Sequence, residues 1–221
     1  MDRSSRNRLN ERHLEHFPSD SLFDKIARTV CTAGCLPRKE LYEAWETARR
    51  IRRRISGKRV IDMACGHGLL AHIMVLLDDT IPSAIAVDKA IPKSAASLAE
   101  TLVENWPRLK NRVEFRQEDL AEIEIDNDDL LVSVHGCGRL TDRIIDLAIE
   151  AKVSVALLPC CHDLKRSDTG ELTGWLEPTL AIDVTRVSRL QSAGYKVMTL
   201  EIPYDITPKN RLIIATPENV V

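Results

Sequence analysis

The chain has 221 residues, a formal net charge of −2 and a hydrophobic content of 44%. This length suits one well-buried α/β domain with an extension, but not two full catalytic domains. No apolar run approaches the roughly 20 residues of a membrane-spanning helix, and the polar residues 1–10 do not resemble a secretory signal. The six cysteines are therefore expected to be reduced thiols, and we expect a cytoplasmic protein without a membrane partner.

Residues 1–57 are predicted to form an N-terminal helical extension. Leu22, Ile26 and Val30 lie four residues apart, as on one face of a helix. A second helix is predicted after Pro37, with an apolar stripe of Leu41, Trp45, Ala48 and Ile55. Its other face is basic: Arg49, Arg50, Arg52, Arg53, Arg54, Lys58 and Arg59. We considered two roles for these cations, a solvated surface and a patch for nucleic-acid phosphates.

Residues 58–221 are predicted to form the main domain, in which short apolar runs alternate with helical segments. Strands are expected at 59–64, 83–87, 112–116, 129–134, 153–158, 196–202 and 211–215, and helices at 68–77, 93–105, 141–151 and 178–193. Such alternation predicts a parallel sheet with helices on both faces. The segment 203–210 is too short for a crossover helix, so the last two strands must pair antiparallel.

The strongest motif is the turn Asp62-Met63-Ala64-Cys65-Gly66-His67-Gly68 between a strand and a helix. Gly66 and Gly68 allow a close approach between backbone and ligand. A dinucleotide site would require G-x-G-x-x-G here. The pattern D-x-A-x-G-x-G lacks the third glycine, and the carboxylate of Asp62 would repel a pyrophosphate. An acid suits a sulfonium or an ammonium group, so we predict binding residues at Asp62, Ala64, Cys65, Gly66 and Gly68.

Two further acids follow the next strands. Asp88 ends the second strand about 20 residues after the glycines, where a carboxylate can accept hydrogen bonds from both ribose hydroxyls. Asp119 follows the third strand and is placed to accept from an adenine amino group, although a plain surface acid is an equal alternative. Their neighbours Lys89 and Leu120 complete the predicted binding set.

The spacing of Asp62 to Gly68, Asp88 and Asp119 resembles the cofactor motifs of class I S-adenosylmethionine-dependent methyltransferases over roughly residues 58–217. The resemblance implies a Rossmann-like α/β fold and S-adenosyl-L-methionine as the cofactor. Ala64 departs from the family pattern, because many members carry a glycine at this position.

Two loops rich in His and Cys are expected at the same edge of the sheet. The first runs from His135 to Asp142 (H-x-C-G-x-x-T-D), and the second contains Pro159-Cys160-Cys161-His162. The pair resembles the tRNA 2′-O-methyltransferases of the acceptor stem and related methyltransferase-like proteins, which implies an RNA substrate. Those tRNA enzymes carry zinc-finger-like elements for which this chain has no obvious counterpart.

Methyl transfer requires alignment of the acceptor, and a hydroxyl acceptor also needs a base. We predict His135 or His162 as that base, with Cys160 or Arg139 positioning the acceptor and His135 also bordering the cofactor. The predicted substrate-binding residues are Tyr204, Asn210 and Arg211 at the rim, with a plain hairpin turn as the alternative.

Soft metal ligands are present, since Cys31 and Cys35 could join Cys160, Cys161 and His162. Their spacing matches no recognised zinc motif, so we predict no metal. The leading functional hypothesis is a methyltransferase of RNA, with tRNA favoured. The alternatives are a methyltransferase of a small molecule or protein, and a non-catalytic interaction module on the same fold.

Overall fold

The computed structural model describes residues 2–218. Its helices are α1 (Leu22–Ala33), α2 (Arg38–Arg52), α3 (Leu69–Leu77), α4 (Ser94–Asn105), α5 (Arg139–Ala151) and α6 (Pro178–Ser192). Its strands are β1 (Arg59–Met63), β2 (Ala84–Asp88), β3 (Val113–Gln117), β4 (Asp129–Ser133), β5 (Ser154–Leu157), β6 (Tyr195–Glu201) and β7 (Arg211–Pro217). Short 3-10 turns occur at Glu11–His16, Pro107–Leu109 and Leu172–Gly174.

The seven strands form one sheet in the order β3-β2-β1-β4-β5-β7-β6. The first five strands are mutually parallel, and β7 pairs antiparallel with both β5 and β6. This confirms the predicted α/β sheet and the antiparallel pairing at its end. The chain winds in opposite directions from β1 and β4, so the crevice beyond their carboxyl ends is the expected binding site of such a sheet.

Two hydrophobic clusters cover the two faces of the sheet. Along β1, Val60 belongs to the cluster beneath α1 to α4, whereas Ile61 and Met63 belong to the cluster beneath α5 and α6. This alternation follows from the period of two in a strand. Because both faces are covered, strands β1, β2, β4 and β5 read as nearly continuous apolar runs.

The N-terminal helices share the core of the main domain. Ser21 caps α1, and Gly34 ends it in the left-handed conformation with φ +64°. Helix α1 contacts α4, and α2 contacts α3. Ile55 is buried although α2 ends before it. Among residues 2–218, no helix is long and apolar enough to cross a membrane.

Candidate active site

The turn between β1 and α3 has an unusual backbone. Ala64, Gly66 and Gly68 all have positive φ, at +58°, +54° and +69°. A Cβ on Gly68 would lie 2.8 Å from the Phe115 ring, so this glycine is required by packing. A Cβ on Gly66 would meet nothing within 4 Å, so its backbone faces open space. The two glycines therefore differ in role: one closes the core, and the other is accessible to a ligand.

The carboxylate of Asp88 is held beside this open glycine. Its Oδ2 accepts a hydrogen bond from the amide of Gly66 at 3.0 Å, and its Oδ1 accepts from the amide of Ala90 at 3.1 Å. The end of β2 thus presents a fixed acceptor at the turn. This is the position that the sequence predicted for a group that binds a diol.

Asp62 is buried at the end of β1. Its Oδ2 accepts a hydrogen bond from the amide of Ala71 at 3.2 Å. Burial raises the pKa of Asp62 to about 8, and the nearby Asp88 adds to the rise. Burial and the same two carboxylates raise the pKa of the Cys65 thiol. The turn is therefore an environment that disfavours added negative charge.

Asp119 and Lys89 are bound to each other. The Lys89 Nζ lies 2.8 Å from Oδ2 of Asp119, and this contact raises the pKa of Lys89 and lowers that of Asp119. The other carboxylate oxygen of Asp119 accepts from the amide of Ala121. Leu120 is buried in the core. An adenine amino group would therefore compete with Lys89 for Asp119, and the predicted role of Asp119 stays a prediction.

His135 borders two cavities. The first is narrow and also lined by Asp62, Cys65, His67 and Glu40. Burial lowers the pKa of His135 to about 4, and the positive charges of nearby groups contribute. Burial also raises the pKa of Glu40 to about 7, with its carboxylate 4.0 Å from Nε2 of His135. The imidazole is therefore neutral near pH 7, and its lowered pKa makes it a weaker base than an exposed histidine.

The second cavity measures about 310 Å³ and also has His135 in its lining. Cys160 and Cys161 line it, as do three cations, Arg6, Lys39 and Lys209. His135 and Glu40 belong to both cavities. His135 therefore lies between the glycine turn and a space large enough for an acceptor group.

The two loops after β4 and β5 meet at three thiols. The Sγ atoms of Cys137, Cys160 and Cys161 all lie within 4.8 Å of one another, and those of Cys137 and Cys160 are 2.9 Å apart. A hydrogen bond from Cys160 lowers the pKa of Cys137 to about 6. Cys31 lies within α1 and Cys35 just after it; both are buried, and neither belongs to this cluster.

His162 does not lie at the open rim where the sequence placed it. Its side chain is 1% exposed, and its Nε2 lies 2.8 Å from Oδ1 of Asp183. Asp183 also binds Arg186 and Arg211. Because Asp183 lies on α6, His162 belongs to an ion-pair network between the loop after β5 and α6. In this conformation it is unable to reach an acceptor in the 310 Å³ cavity.

The predicted substrate-binding residues and Arg139, predicted to position the acceptor, differ in how exposed they are. Asn210 is 8% exposed, and its amide group donates to the carbonyl of Ile202, which closes the β6–β7 loop. Arg211 donates to Asp183 at 2.7 Å and so belongs to the network around His162. Tyr204 is 72% exposed, and Arg139 is exposed at the start of α5. Of this group, Tyr204 and Arg139 alone are free to contact a substrate as predicted.

Most of the basic stretch from Arg49 to Arg59 is paired within the protein. Arg49 and Arg50 both bind the carboxylate of Glu46, and Arg50 also donates to the carbonyl of Glu201. Arg59 binds Asp129 at 2.7 Å. Arg54 donates to the carbonyl of Arg50, and Lys58 lies 3.7 Å from Asp128. The geometry favours intramolecular pairing over a continuous phosphate-binding surface.

Glu40 and Glu43 were missed by the sequence analysis. They lie one turn apart on α2, and both border the 310 Å³ cavity. Glu43 is 2% exposed, and Thr47 one turn further is fully buried. A polar stripe at spacing 40, 43 and 47 beside the apolar stripe of α2 indicates a buried polar contact, and that pattern was visible in the sequence.

Comparison with known proteins shows which protein family the chain belongs to. The family model described as a methyltransferase domain matches residues 39–167, which is more than half of the chain. The chain therefore belongs to this family of methyltransferase domains. The match begins in α2 and ends in the loop after β5, so it includes the glycine turn and all three clustered thiols. No curated protein sequence matches the chain.

Solved structures with the same fold are distant in sequence. The methyltransferase SibL in its apo form has a TM-score of 0.54 at 16% identity, over 93% of this chain and 65% of that one. The B. subtilis m1A22 tRNA methyltransferase TrmK has 0.51 at 16% identity, over 78% of this chain and 65% of that one. TrmK from M. capricolum, solved with S-adenosyl-homocysteine, has 0.51 at 14% identity, over 78% and 67%. At such identities the likeness shows the fold alone.

Proposed function

We propose that this protein is an S-adenosylmethionine-dependent methyltransferase. The proposal rests mainly on the hydrogen bond that joins Gly66 to Asp88. Open space at the Gly66 Cα adjoins a carboxylate fixed by the Gly66 amide at 3.0 Å. Membership of the methyltransferase domain family supports this function, as does the complex of a protein of the same fold with S-adenosyl-homocysteine.

The residues at the turn fit this cofactor. Asp88 would accept hydrogen bonds from the ribose hydroxyls. Asp62 would be stabilised as a carboxylate by the positive charge of the sulfonium and ammonium groups. The turn lacks the third glycine of the dinucleotide fingerprint, so a dinucleotide fits poorly. When bound, the cofactor supplies an electrophilic methyl group on a sulfonium.

His135 is the proposed base. It lies between the turn and the 310 Å³ cavity, and its lowered pKa keeps it neutral. A hydroxyl acceptor is a poor nucleophile until its proton is accepted, and a neutral imidazole can accept it. Arg139 and Cys160 remain proposed to position the acceptor.

The proposed acceptor is RNA, with tRNA favoured. The H-x-C-G-x-x-T-D and P-C-C-H motifs resemble those of tRNA 2′-O-methyltransferases. Two cations of the 310 Å³ cavity, Arg6 and Lys209, support the proposal because they are placed to contact phosphates beside His135, whereas Lys39 is paired with Glu43. The stretch from Arg49 to Arg59 adds little support, since its charges are mostly paired.

Calorimetric titration with S-adenosylmethionine tests the cofactor, with NAD as a control ligand and Asp88→Ala as the variant. We expect binding of S-adenosylmethionine alone, and its loss in Asp88→Ala. Absence of binding to the intact protein would favour an interaction module instead.

Titration with tRNA at increasing salt tests the acceptor, because contacts to phosphates weaken steeply as salt rises. We expect Lys209→Ala to bind more weakly than the wild type and to show a shallower salt slope. Binding that does not respond to salt or to Lys209→Ala would favour a small molecule or a protein as the acceptor.

A further inference from the structure

Three thiols from two loops converge at the carboxyl edge of the sheet. Cys137 follows β4, whereas Cys160 and Cys161 follow β5, its parallel neighbour. Their Sγ atoms lie within 4.8 Å of one another. Within residues 2–218, no further His, Cys, Asp or Glu joins this group. The sequence analysis predicted no metal because the spacing of the cysteines matches no recognised zinc motif, and the candidate ligands it considered did not include Cys137.

The backbone holds the two loops together. The amide of Gly138 donates to the carbonyl of Cys161 at 3.0 Å, and the amide of Leu158 donates to the carbonyl of Ser133 at 2.9 Å. Gly138 has φ +57°, and a Cβ there would lie 3.4 Å from Cβ of Asp163. The cluster is thus framed by fixed backbone contacts on either side of its cysteines.

The sulfur separations suit a metal ion. Tetrahedral zinc with Zn–S bonds of about 2.3 Å separates its sulfurs by about 3.8 Å. The separations in the cluster, from 2.9 Å to less than 4.8 Å, bracket this value. A small side-chain adjustment would therefore bring all three thiolates to bonding distance of one ion.

The surrounding charges balance such a site. Three thiolates around Zn²⁺ carry a net charge of −1. Lys39 and Lys209 line the same cavity as Cys160 and Cys161. Lys39 is paired with Glu43 at 3.2 Å, so Lys209 is the lysine left to offset the remaining charge and favour the deprotonated sulfurs.

We propose that Cys137, Cys160 and Cys161 bind one Zn²⁺ ion, with a fourth position left for a water or an exchangeable ligand. Thiolates select soft or borderline metals over Mg²⁺ and Ca²⁺. The three thiols release their protons to solvent when the ion binds. Three protein ligands and one open position are the arrangement of catalytic zinc sites. Because Cys160 and Cys161 line the 310 Å³ cavity, the open position would be reached from the side of the proposed acceptor.

Metal analysis of the full-length protein tests the proposal, without S-adenosylmethionine and under reducing conditions. We expect one zinc per chain after dialysis against zinc, and Co²⁺ substitution giving thiolate charge-transfer and tetrahedral d–d absorption bands. Cys137→Ser and Cys161→Ser replace exposed residues and should fold. Loss of an outer-shell partner already costs about 10–100-fold in affinity, so loss of a thiolate should weaken zinc binding at least ~100-fold. The control Cys35→Ser, at a buried thiol outside the cluster, should bind zinc like the wild type.

Several outcomes would overturn the zinc site. These are zinc below one per chain, stoichiometric copper or iron instead, undiminished zinc binding in both Cys137→Ser and Cys161→Ser, or a Cys137–Cys160 disulfide that mass spectrometry finds in protein purified with a reductant. None of these readouts requires S-adenosylmethionine, so failure of the zinc site is distinguishable from failure of the proposed function.

Discussion

The glycine turn and the two loops after β4 and β5 lie at the same edge of the sheet, yet they are built differently. The turn is fixed by the backbone: Ala64, Gly66 and Gly68 adopt positive φ, and the amide of Gly66 holds Asp88. The loops are joined by backbone hydrogen bonds from Gly138 to Cys161 and from Leu158 to Ser133, and side chains add further support. Thr141 donates to the carbonyl of Gly136, and Asp142 binds the buried Arg186.

Within the loop motif H-x-C-G-x-x-T-D, some residues support the structure and others face the candidate site. In H-x-C-G-x-x-T-D, the threonine and aspartate position the loop, whereas His135 and Cys137 face the cavities or the thiol cluster. In and beside the turn, the proposed binding groups are the backbone of Gly66 and the side chains of Asp62 and Asp88. Substitutions of the residues that position the loop should therefore mainly lower stability, whereas substitutions of the proposed binding groups should lower binding or activity.

The largest expected change in the free energy of unfolding comes from breaking the side-chain network that supports the loops. Arg186 is 1% exposed and binds Asp142 and Asp183. Removing one partner of a buried ion pair leaves uncompensated charge and costs about 3–5 kcal/mol. We expect Arg186→Met to lower the free energy of unfolding by that amount in urea denaturation. The exposed control Arg139→Met should change it by less than ~0.5 kcal/mol. Equal stability of the two variants would contradict the importance of this network.

The next prediction distinguishes a catalytic role for His135 from a structural role for His162. His135→Ala should lower the rate of methyl transfer to a hydroxyl acceptor at least ~10²-fold, with little change in stability. His162→Ala should instead destabilise the protein, because it removes a buried partner of Asp183. Paired rate and unfolding measurements on both variants check this. A normal rate in His135→Ala would exclude it as the base.

The two glycines of the turn offer a matched pair with a smaller effect. Gly68→Ala combines a left-handed backbone with a clash against Phe115, so we expect a loss of about 2–4 kcal/mol. Gly66→Ala carries the backbone cost alone, about 1–2 kcal/mol, since its Cβ would meet nothing within 4 Å. Thermal unfolding measures both. At temperatures where it is folded, Gly66→Ala should nevertheless weaken cofactor binding, and unchanged binding would show that this face is not used.

Much of the fold could be predicted because its signals are local. The predicted strands differ from the observed ones by one or two residues at their ends, and the antiparallel pair followed from the length of 203–210. The glycine turn was predictable for the same reason. The partners of His162, Asn210 and Arg211 were not, because Asp183 lies on α6 and Ile202 on the far side of a loop. The thiol cluster was likewise not predictable, because it depends on the pairing of β4 with β5, which brings Cys137 beside Cys160, 23 positions further along the chain.

The central claim is that the turn binds a cation, and the linkage between protons and cofactor binding tests it most directly. Burial raises the pKa of Asp62 to about 8. The folded protein therefore holds this proton more tightly than the unfolded chain, and stability contributed by the neutral carboxyl falls as pH rises towards 8. A cationic ligand favours the carboxylate and lowers its pKa, so binding should release a proton below pH 8 and tighten as pH rises. Glu40, whose pKa burial raises to about 7, lines the same cavity as Asp62 and is a second source of protons.

The measurement is calorimetry of S-adenosylmethionine binding between pH 6 and 7.5, in buffers of different ionisation enthalpy, for the wild type, Asp62→Asn and Glu40→Gln. Asp62→Asn keeps an oxygen that accepts from the Ala71 amide but has no proton to lose. The account predicts proton release on binding to the wild type and to Glu40→Gln, and clearly less release with weaker binding in Asp62→Asn. Equal proton release and equal affinity in the wild type and Asp62→Asn would contradict a cation site at this turn.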